Sequence, residues 1–492
     1  MSFWIHVAPL VLLVGGGLFI MLADVFAKER PELATVTSVA LGVSGCVSLA
    51  ALVSGVAPQT PAFLTSYLAV DKMALFFDVV ICTGAALSTL LAGGYLREHG
   101  YERGEFYVLT LFSAFGAMVL ARSVDLLSLF VGLETMSLGV YALVAFRRAS
   151  ARAVEGAMKY FLLGSFAAAI LLFGSALLYA ATGHTDYAGI AEGIAAGADP
   201  RLVLAGMLLV VVGLTFKVSA VPFHMWTPDA YEGAMTPATT FMSVAVKAAA
   251  FAVFLRVLVV AFGDPMSMSE ASGWPPALAA LAALSMVYGN FAAVSQQNIK
   301  RMLAYSSIAH AGYVLVGVVA VFRVGDEAIS AVLFYLLAYT VSNALALGSL
   351  ILMGSKGREA VSYDDLRGVG RRHPMAALPF VIGVLSLMGF PPTAGFFGKY
   401  YVFNAAVHSG GGMVWLALLG VLSSAVGAYY YLRVIVVMFM KEPEKGQVLA
   451  VPMRSGYVVT ALSIAGLAVM ELGLMPGWFL DLAVQAAQQL VA

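Results

Sequence analysis

The sequence predicts an all-α integral membrane protein of about 14 transmembrane helices, two of them discontinuous. Three observations carry that reading. The 492 residues are 61% hydrophobic and only 11% charged, where a soluble domain is about 45–50% apolar and about 25% charged. The apolar residues fall into a succession of runs near the ~20 residues that a helix needs to span a bilayer. Two of those runs are interrupted by proline, and each of the two carries a lysine.

The same composition excludes other classes. Charges balance at 27 basic against 27 acidic residues, and the mean hydropathy is +0.92. A nucleic-acid partner requires a basic excess to meet phosphates, so none is expected. A disordered chain requires low hydrophobicity and high charge. Cys46 and Cys82 lie inside apolar runs and form no CxxC pair; the seven histidines form no HxxxH pair; no GxGxxG or P-loop segment occurs. No redox cofactor, metal or nucleotide is therefore expected in this chain.

The spans follow in order from continuous hydrophobicity, with breaks at charge, Pro and Gly clusters. Met1–Leu10 lacks the positive leader of a cleaved signal peptide, so the run near 3–27 reads as a retained first helix. The others lie near 34–56, 72–96, 105–122, 125–147, 155–181, 202–224, 237–260, 275–295, 301–322, 328–354, 375–407, 412–440 and 455–485. The last run is one helix or two. The longest polar connection, Gly354 to Pro374, is too short for a separate soluble domain.

Basic residues set the orientation. Connections after odd-numbered helices hold 17 of the 27, among them Lys28, Arg30, Arg147, Arg148, Lys300, Arg301, Lys356, Arg371, Arg372 and Lys445. The other side holds Lys72, Arg122, Arg201 and Arg323. The positive-inside rule places the richer side in the cytoplasm, which puts both termini outside. Lys159, Lys217, Lys247, Arg256, Lys399 and Arg433 remain within spans.

The two interrupted spans read Thr215-Phe-Lys-Val-Ser-Ala-Val-Pro222-Phe-His-Met-Trp-Thr-Pro228 and Met388-Gly-Phe-Pro391-Pro392-Thr-Ala-Gly-Phe-Phe-Gly-Lys399. They are the seventh and twelfth helices. A spacing of five, an odd number, inverts the second copy in the membrane. Inverted repeats with discontinuous helices place ion sites near the midplane. Proline frees backbone carbonyls, which are tolerated only where protein or water satisfies them.

A lysine at the bilayer centre costs roughly 2.5–3.5 kcal/mol on insertion scales. Lys217, Lys247 and Lys399 stand mid-span, and Glu134 stands mid-span in the fifth helix. Burial disfavours the charged form of an ionisable group and a nearby opposite charge restores it. A lysine poised between these effects can load and release a proton, with Glu134 as the modulator of Lys217. Static ion pairs gluing helices together are the plain alternative. Lys159 forms an i, i+4 pair with Glu155 near a helix start; it is either a surface pair or a path residue. His310, mid-span in the tenth helix, either relays protons or packs. His224, Asp229 and Glu232 follow the first break as a proton inlet or a loop cap. Arg256 and Arg433 are expected to snorkel, and Asp24 and Asp125 to be interfacial.

Three runs carry a resemblance. Gly213–Ala234, Asn298–Tyr313 and Leu385–Lys399 resemble the antiporter-like membrane subunits of respiratory complex I, the bacterial NADH-quinone oxidoreductase, with subunit N as the nearest branch. The likeness covers about residues 105–440. It implies two inverted five-helix repeats, helices 4–8 (105–260) and 9–13 (275–440), after helices 1–3 (1–104) and before a C-terminal helix (441–492). It implies that Glu134 and Lys217 are a paired carboxylate and lysine, Lys247 the connecting lysine, and Lys399 the lysine of the second broken helix. Lys159 matches a family lysine near the pair. Lysine rather than glutamate on the twelfth helix, and no long lateral helix at the C-terminus, favour subunit N. Met235 departs from a position where the family more often has proline.

The resemblance further implies a proton-translocating subunit in the bacterial inner membrane. FMN, iron–sulfur clusters and quinone are then expected in partner membrane and peripheral subunits. A subunit of a multi-subunit sodium/proton antiporter or a membrane-bound hydrogenase is the alternative, and a non-transporting scaffold a second.

Overall fold

Apolar runs bounded by caps become helices throughout. The computed structural model describes residues 2–26, 32–54, 62–270, 273–354, 357–410, 412–443 and 450–491. Lys28, Arg30, Lys356 and Lys445, used above for orientation, lie outside the described residues. So do the C-terminal ends of the first two predicted spans.

The helices are α1 (Ser2–Phe26), α2 (Leu33–Ser54), α3 (Lys72–His99), α4 (Gly104–Arg122), α5 (Leu126–Val144) and α6 (Ala151–Thr182). A broken pair follows, α7a (Pro200–Val218) and α7b (Thr227–Gly233), then α8 (Thr236–Ala261), α9 (Trp274–Val294), α10 (Ile299–Val324) and α11 (Asp326–Met353). The second broken pair is α12a (Pro374–Met388) and α12b (Ala394–His408). The chain ends in α13 (Val414–Met440), α14 (Gly456–Leu474) and α15 (Pro476–Val491).

Thirteen of these are long and apolar enough to cross a membrane among the described residues. The two 15-residue halves α12a and α12b fill the remaining place. The run near 455–485 is two helices, because Pro476 has no N–H to continue α14 and instead starts α15.

Side-chain oxygens cap the entrances. Asp71 accepts from the Ala74 N–H at 2.7 Å, Asp125 from Leu127 at 2.6 Å and Asn298 from Arg301 at 3.1 Å. Small residues let helices approach: a Cβ on Gly116 would lie 2.4 Å from the Met136 nitrogen, so α4 and α5 touch backbone to backbone.

Burial sorts the bundle. The apolar window of α11 is 100% buried, against 28% for α1. α3, α8 and α10 are also inner helices; α6, α9, α13 and α14 show much of their surface outward. Of the polar side chains described next, the inner helices carry Asp78, Lys247, Arg256, Ser307, His310 and Tyr339.

Two buried arginine–aspartate pairs were not anticipated. Arg122 donates to Asp78 and, at 3.0 Å, to the His6 carbonyl; Ser48 donates to Asp78 at 3.2 Å. Both partners are almost fully buried. Arg256 does not snorkel: it is buried and pairs with Asp71, the N-cap of α3, at 2.5 Å and 2.9 Å, because α8 is inside the bundle and packs against the start of α3. Asp125 is likewise buried, accepting from Thr185 at 2.6 Å. Arg433 is half-buried, stacked 4.4 Å over the Tyr363 ring, and donates to the Val294 carbonyl.

Candidate functional site

The two breaks position two of the lysines. α7a ends at Val218, and the next residue, Ser219, has a left-handed φ of 65°. The residues up to Trp226 are irregular, and a buried backbone there must find partners. The Val221 N–H donates to Ser285 Oγ at 2.8 Å, and Trp226 Nε1 donates to the Phe216 carbonyl at 3.2 Å. Lys217 sits one residue before the end of α7a. At the second break Gly389 closes α12a at φ 88°. Here the lysine itself satisfies a freed carbonyl: Lys399 Nζ donates to Met388 O at 2.9 Å and to Ser424 Oγ at 2.7 Å. A Cβ on Gly395 would lie 1.9 Å from the Ser386 carbonyl, so only glycine lets α12b start this close to α12a.

Lys217 is 3% exposed. Its Nζ donates to Ser137 Oγ at 2.7 Å and to Tyr160 Oη at 3.3 Å, and lies 5.1 Å from the Tyr160 ring centre. Glu134 is on the same helix as Ser137, one turn earlier. It makes no direct ion pair with Lys217, although each charge acts on the other. Glu134 Oε1 is buried with no hydrogen-bond partner.

Lys247 follows a π-helical stretch, Met242–Val246, inside α8. Such bulges are frequent at functional sites, since they turn one side chain out of register. Its Nζ donates to the Ser307 carbonyl at 2.8 Å and to Ser307 Oγ at 2.5 Å. Tyr339 Oη also donates to Ser307 Oγ, at 2.8 Å, and Asn343 donates to Tyr339 at 3.2 Å. Tyr231 on α7b lies close to Ser307.

His310 is one turn beyond Ser307 on α10. Its Nδ1 meets Tyr335 Oη at 2.6 Å and its Nε2 meets Tyr431 Oη at 3.1 Å. Its ring packs 5.5 Å from the Tyr313 ring, over which Lys399 Nζ lies at 5.0 Å. Asn290 donates to Tyr313 and accepts from Tyr430.

The structure therefore places Glu134 and Lys217 together, and Lys247, His310 and Lys399 in a second group. Tyr160, Trp226, Tyr231 and Ser307 lie between the two, with Trp226 stacked on Tyr160 at 3.9 Å. Lys159 stands apart, 43% exposed, paired with Glu155 and Asp229 at 2.6 Å each. Asp229 and Glu232 both bind Arg301, at 2.6 Å and 3.0 Å. His224 lies in the first break beside the Tyr288 ring, with Nδ1 unpartnered. Ser307, Tyr339, Tyr231 and Tyr160 escape sequence reasoning; Ser307 falls within the run beginning at Asn298, but nothing there singles it out.

Ionisable side chains facing a bundle interior mark ion pathways. Fold and site together define a polytopic membrane protein of the ion-translocating, antiporter-like class. A family profile described as "NADH:quinone oxidoreductase/Mrp antiporter, TM" matches residues 123–427. A relative named NADH-quinone oxidoreductase subunit N 1, from Sorangium cellulosum, is 56% identical, with 98% of each chain covered. A chain of respiratory complex I from Thermus thermophilus superposes with a TM-score of 0.78 at 36% identity, covering 97% of this chain and 99% of that one. A chain of the Mrp complex from Dietzia sp. gives 0.82 at 21% identity over 100% and 97%, which speaks to the fold alone. The chain belongs to the NADH:quinone oxidoreductase/Mrp antiporter membrane family and, within it, to the subunit N group.

Proposed function

We propose that this chain is a proton-translocating membrane subunit of an NADH-quinone oxidoreductase, and that protons move along Glu134, Lys217, Lys247, His310 and Lys399. The observation that supports this best is three buried lysines, each donating to a hydroxyl, in two groups with Tyr160, Trp226, Tyr231 and Ser307 between them. Each ammonium donates to a hydroxyl, and a hydroxyl can both accept and donate, so a proton can be handed on with small reorientations.

Charge does the driving. A proton arriving on one group weakens its neighbour's hold on its own, so occupancy alternates along the line. Glu134, at the head, biases Lys217. Lys159, His224, Asp229 and Glu232 form the polar shoulder of the first break, where a proton enters or the loop is capped. We read α4–α8 and α9–α13 as inverted repeats that place the two breaks on opposite sides of the midplane. Redox chemistry with FMN, iron–sulfur clusters and quinone falls to partner subunits. Both termini face outward from a bacterial inner membrane.

A sodium/proton antiporter subunit shares this fold, but the relatives of high identity are subunit N proteins. Purification of the native complex discriminates: a bound NADH-oxidising flavoprotein supports the present reading, and its absence the other. The direct test is NADH-driven proton uptake by closed vesicles carrying the intact complex. Lys217→Ala is expected to lower protons moved per NADH oxidised; an unchanged ratio overturns the reading. Full pumping after neutralising Lys217, Lys247 and Lys399 together would leave only a scaffold.

A further inference from the structure

The mechanism above leaves one buried lysine unused. Lys300, second residue of α10, is fully buried, although it directly follows the polar connection 295–298. Its Nζ donates to the Ala234 carbonyl at 2.6 Å and lies 3.4 Å from Glu359 Oε2. The Glu359 side chain is 14% exposed and also receives a hydrogen bond from Tyr95 Oη. Arg147, His99 and Glu232 are the other charged or titratable groups acting on this pair. His99 stacks on Tyr95 with ring centres 4.1 Å apart. His99 Nε2 and Arg147 Nε are buried with no hydrogen-bond partner, so the pocket has polar capacity that water can take up.

The position of this cluster matters. Ala234 closes α7b, and Tyr231, one turn earlier on the same short helix, lies close to Ser307. Ser307 is the residue that holds Lys247. Lys300 and Ser307 are seven residues apart on α10, thus on one face and about 10 Å apart along the axis. The Ala234 carbonyl, at the C-terminal end of α7b, thus holds Lys300, and Ser307, near Tyr231 one turn back, holds Lys247.

We infer that Lys300 is a further proton-carrying residue, through which protons from the cytoplasmic side enter the line at Lys247, with Glu359 as its positioning partner. This rests on the proton-translocating reading above. The Lys300 ammonium passes one proton inward to the neutral Lys247 amine and becomes a neutral amine. It regains a proton from hydronium at the rim marked by Glu359, which stays ionised. One proton enters, one moves on, and nothing is oxidised or reduced. Burial pushes the Glu359 carboxyl up, but Lys300, Tyr95, Arg147 and His99 outweigh it and hold it below the usual glutamate range. A standing negative charge at the rim draws protons to the inlet.

A purely structural pair predicts a different outcome for one substitution. Lys300→Arg keeps the cation that Glu359 and the Ala234 carbonyl require, but a guanidinium does not give up its proton. NADH-driven proton uptake, normalised to NADH oxidised and to assembled complex, is measured for Lys300→Arg, Lys300→Met and Lys217→Ala. The expected result is that both Lys300 variants fall to the level of Lys217→Ala. Wild-type pumping by Lys300→Arg alongside a fall for Lys217→Ala overturns the inference alone. Wild-type pumping by Lys217→Ala overturns the reading beneath it. If the Lys300→Arg complex fails to assemble, Glu359→Gln carries the test, since it leaves the lysine in place. A fall of about twofold or more then supports the inlet, and unchanged pumping overturns it.

Discussion

Lys247 on α8 donates twice to a single residue, Ser307 on α10, once to its hydroxyl and once to its carbonyl. The hydroxyl is the only one of the two that can also pass a proton, and Tyr339 already donates to it. Ser307→Ala removes that hydroxyl and leaves the carbonyl. A single hydrogen bond is worth about 0.5–1.5 kcal/mol net. Proton uptake per NADH is expected to fall about two- to tenfold, with the complex still assembled on a native gel. Lys247→Met, which removes the proton-carrying atom itself, is expected to fall further.

The Asp78–Arg122 pair ties α3 to α4 and, through the His6 carbonyl and Ser48, to α1 and α2. Removing one partner of a buried pair leaves an uncompensated charge, at about 3–5 kcal/mol. Asp78→Ala is expected to lower the thermal midpoint of the purified complex and the yield of assembled complex. Replacing both, Asp78→Leu with Arg122→Met, leaves no orphan charge and is expected to recover most of that loss. A double variant no more stable than the single one would show that the pair itself supplies the stability.

Glu359 gives a pH dependence with a defined sign. Its folded pKa is lowered, despite burial, by Lys300, Tyr95, Arg147 and His99. Folding therefore favours the ionised form. The stabilisation is complete above the unfolded glutamate value, about 4.3, and is lost as pH falls through that value toward the lower folded one. Amide hydrogen exchange of residues 357–362, corrected for intrinsic rates, is expected to rise as pH drops from about 5 to 3. In Glu359→Gln that rise is expected to vanish.

Charged residues inside apolar runs were legible because each one opposes its surroundings: Glu134, Lys217, Lys247 and Lys399 need no structure to be noticed. The breaks were legible from Pro222 and Pro391-Pro392. Hydroxyl residues were not. Serine and threonine are ordinary in membrane helices, where they donate to the carbonyl four residues back, as Thr110 does to Phe106. Nothing local marks Ser307 or Tyr339 as different; only the approach of α8 and α11 does. Lys300 read as a connection charge, because its burial comes from residues 359–361 lying against the start of α10, where the Ile299 N–H donates to the Val361 carbonyl at 2.7 Å. Arg256 misled for the opposite reason: its place near a span end suggests an interface, and only tertiary packing reveals Asp71 beside it.

Glu134 and Lys217 interact without touching, and that makes their coupling measurable. Ser137 Oγ, one turn from Glu134 on the same helix, takes the Lys217 hydrogen bond. Glu134→Gln keeps the shape and removes the charge, so the Lys217 hydrogen bonds remain while its electrostatic bias is lost. Pumping per NADH is expected to fall in the single variant. In Glu134→Gln combined with Lys217→Ala, the loss is expected to match that of Lys217→Ala alone, because the carboxylate acts only through the lysine. Groups acting as one unit show such non-additivity, with interaction energies of about 0.5–3 kcal/mol. If the losses instead multiply, Glu134 acts on protons independently of Lys217, by a branch of its own.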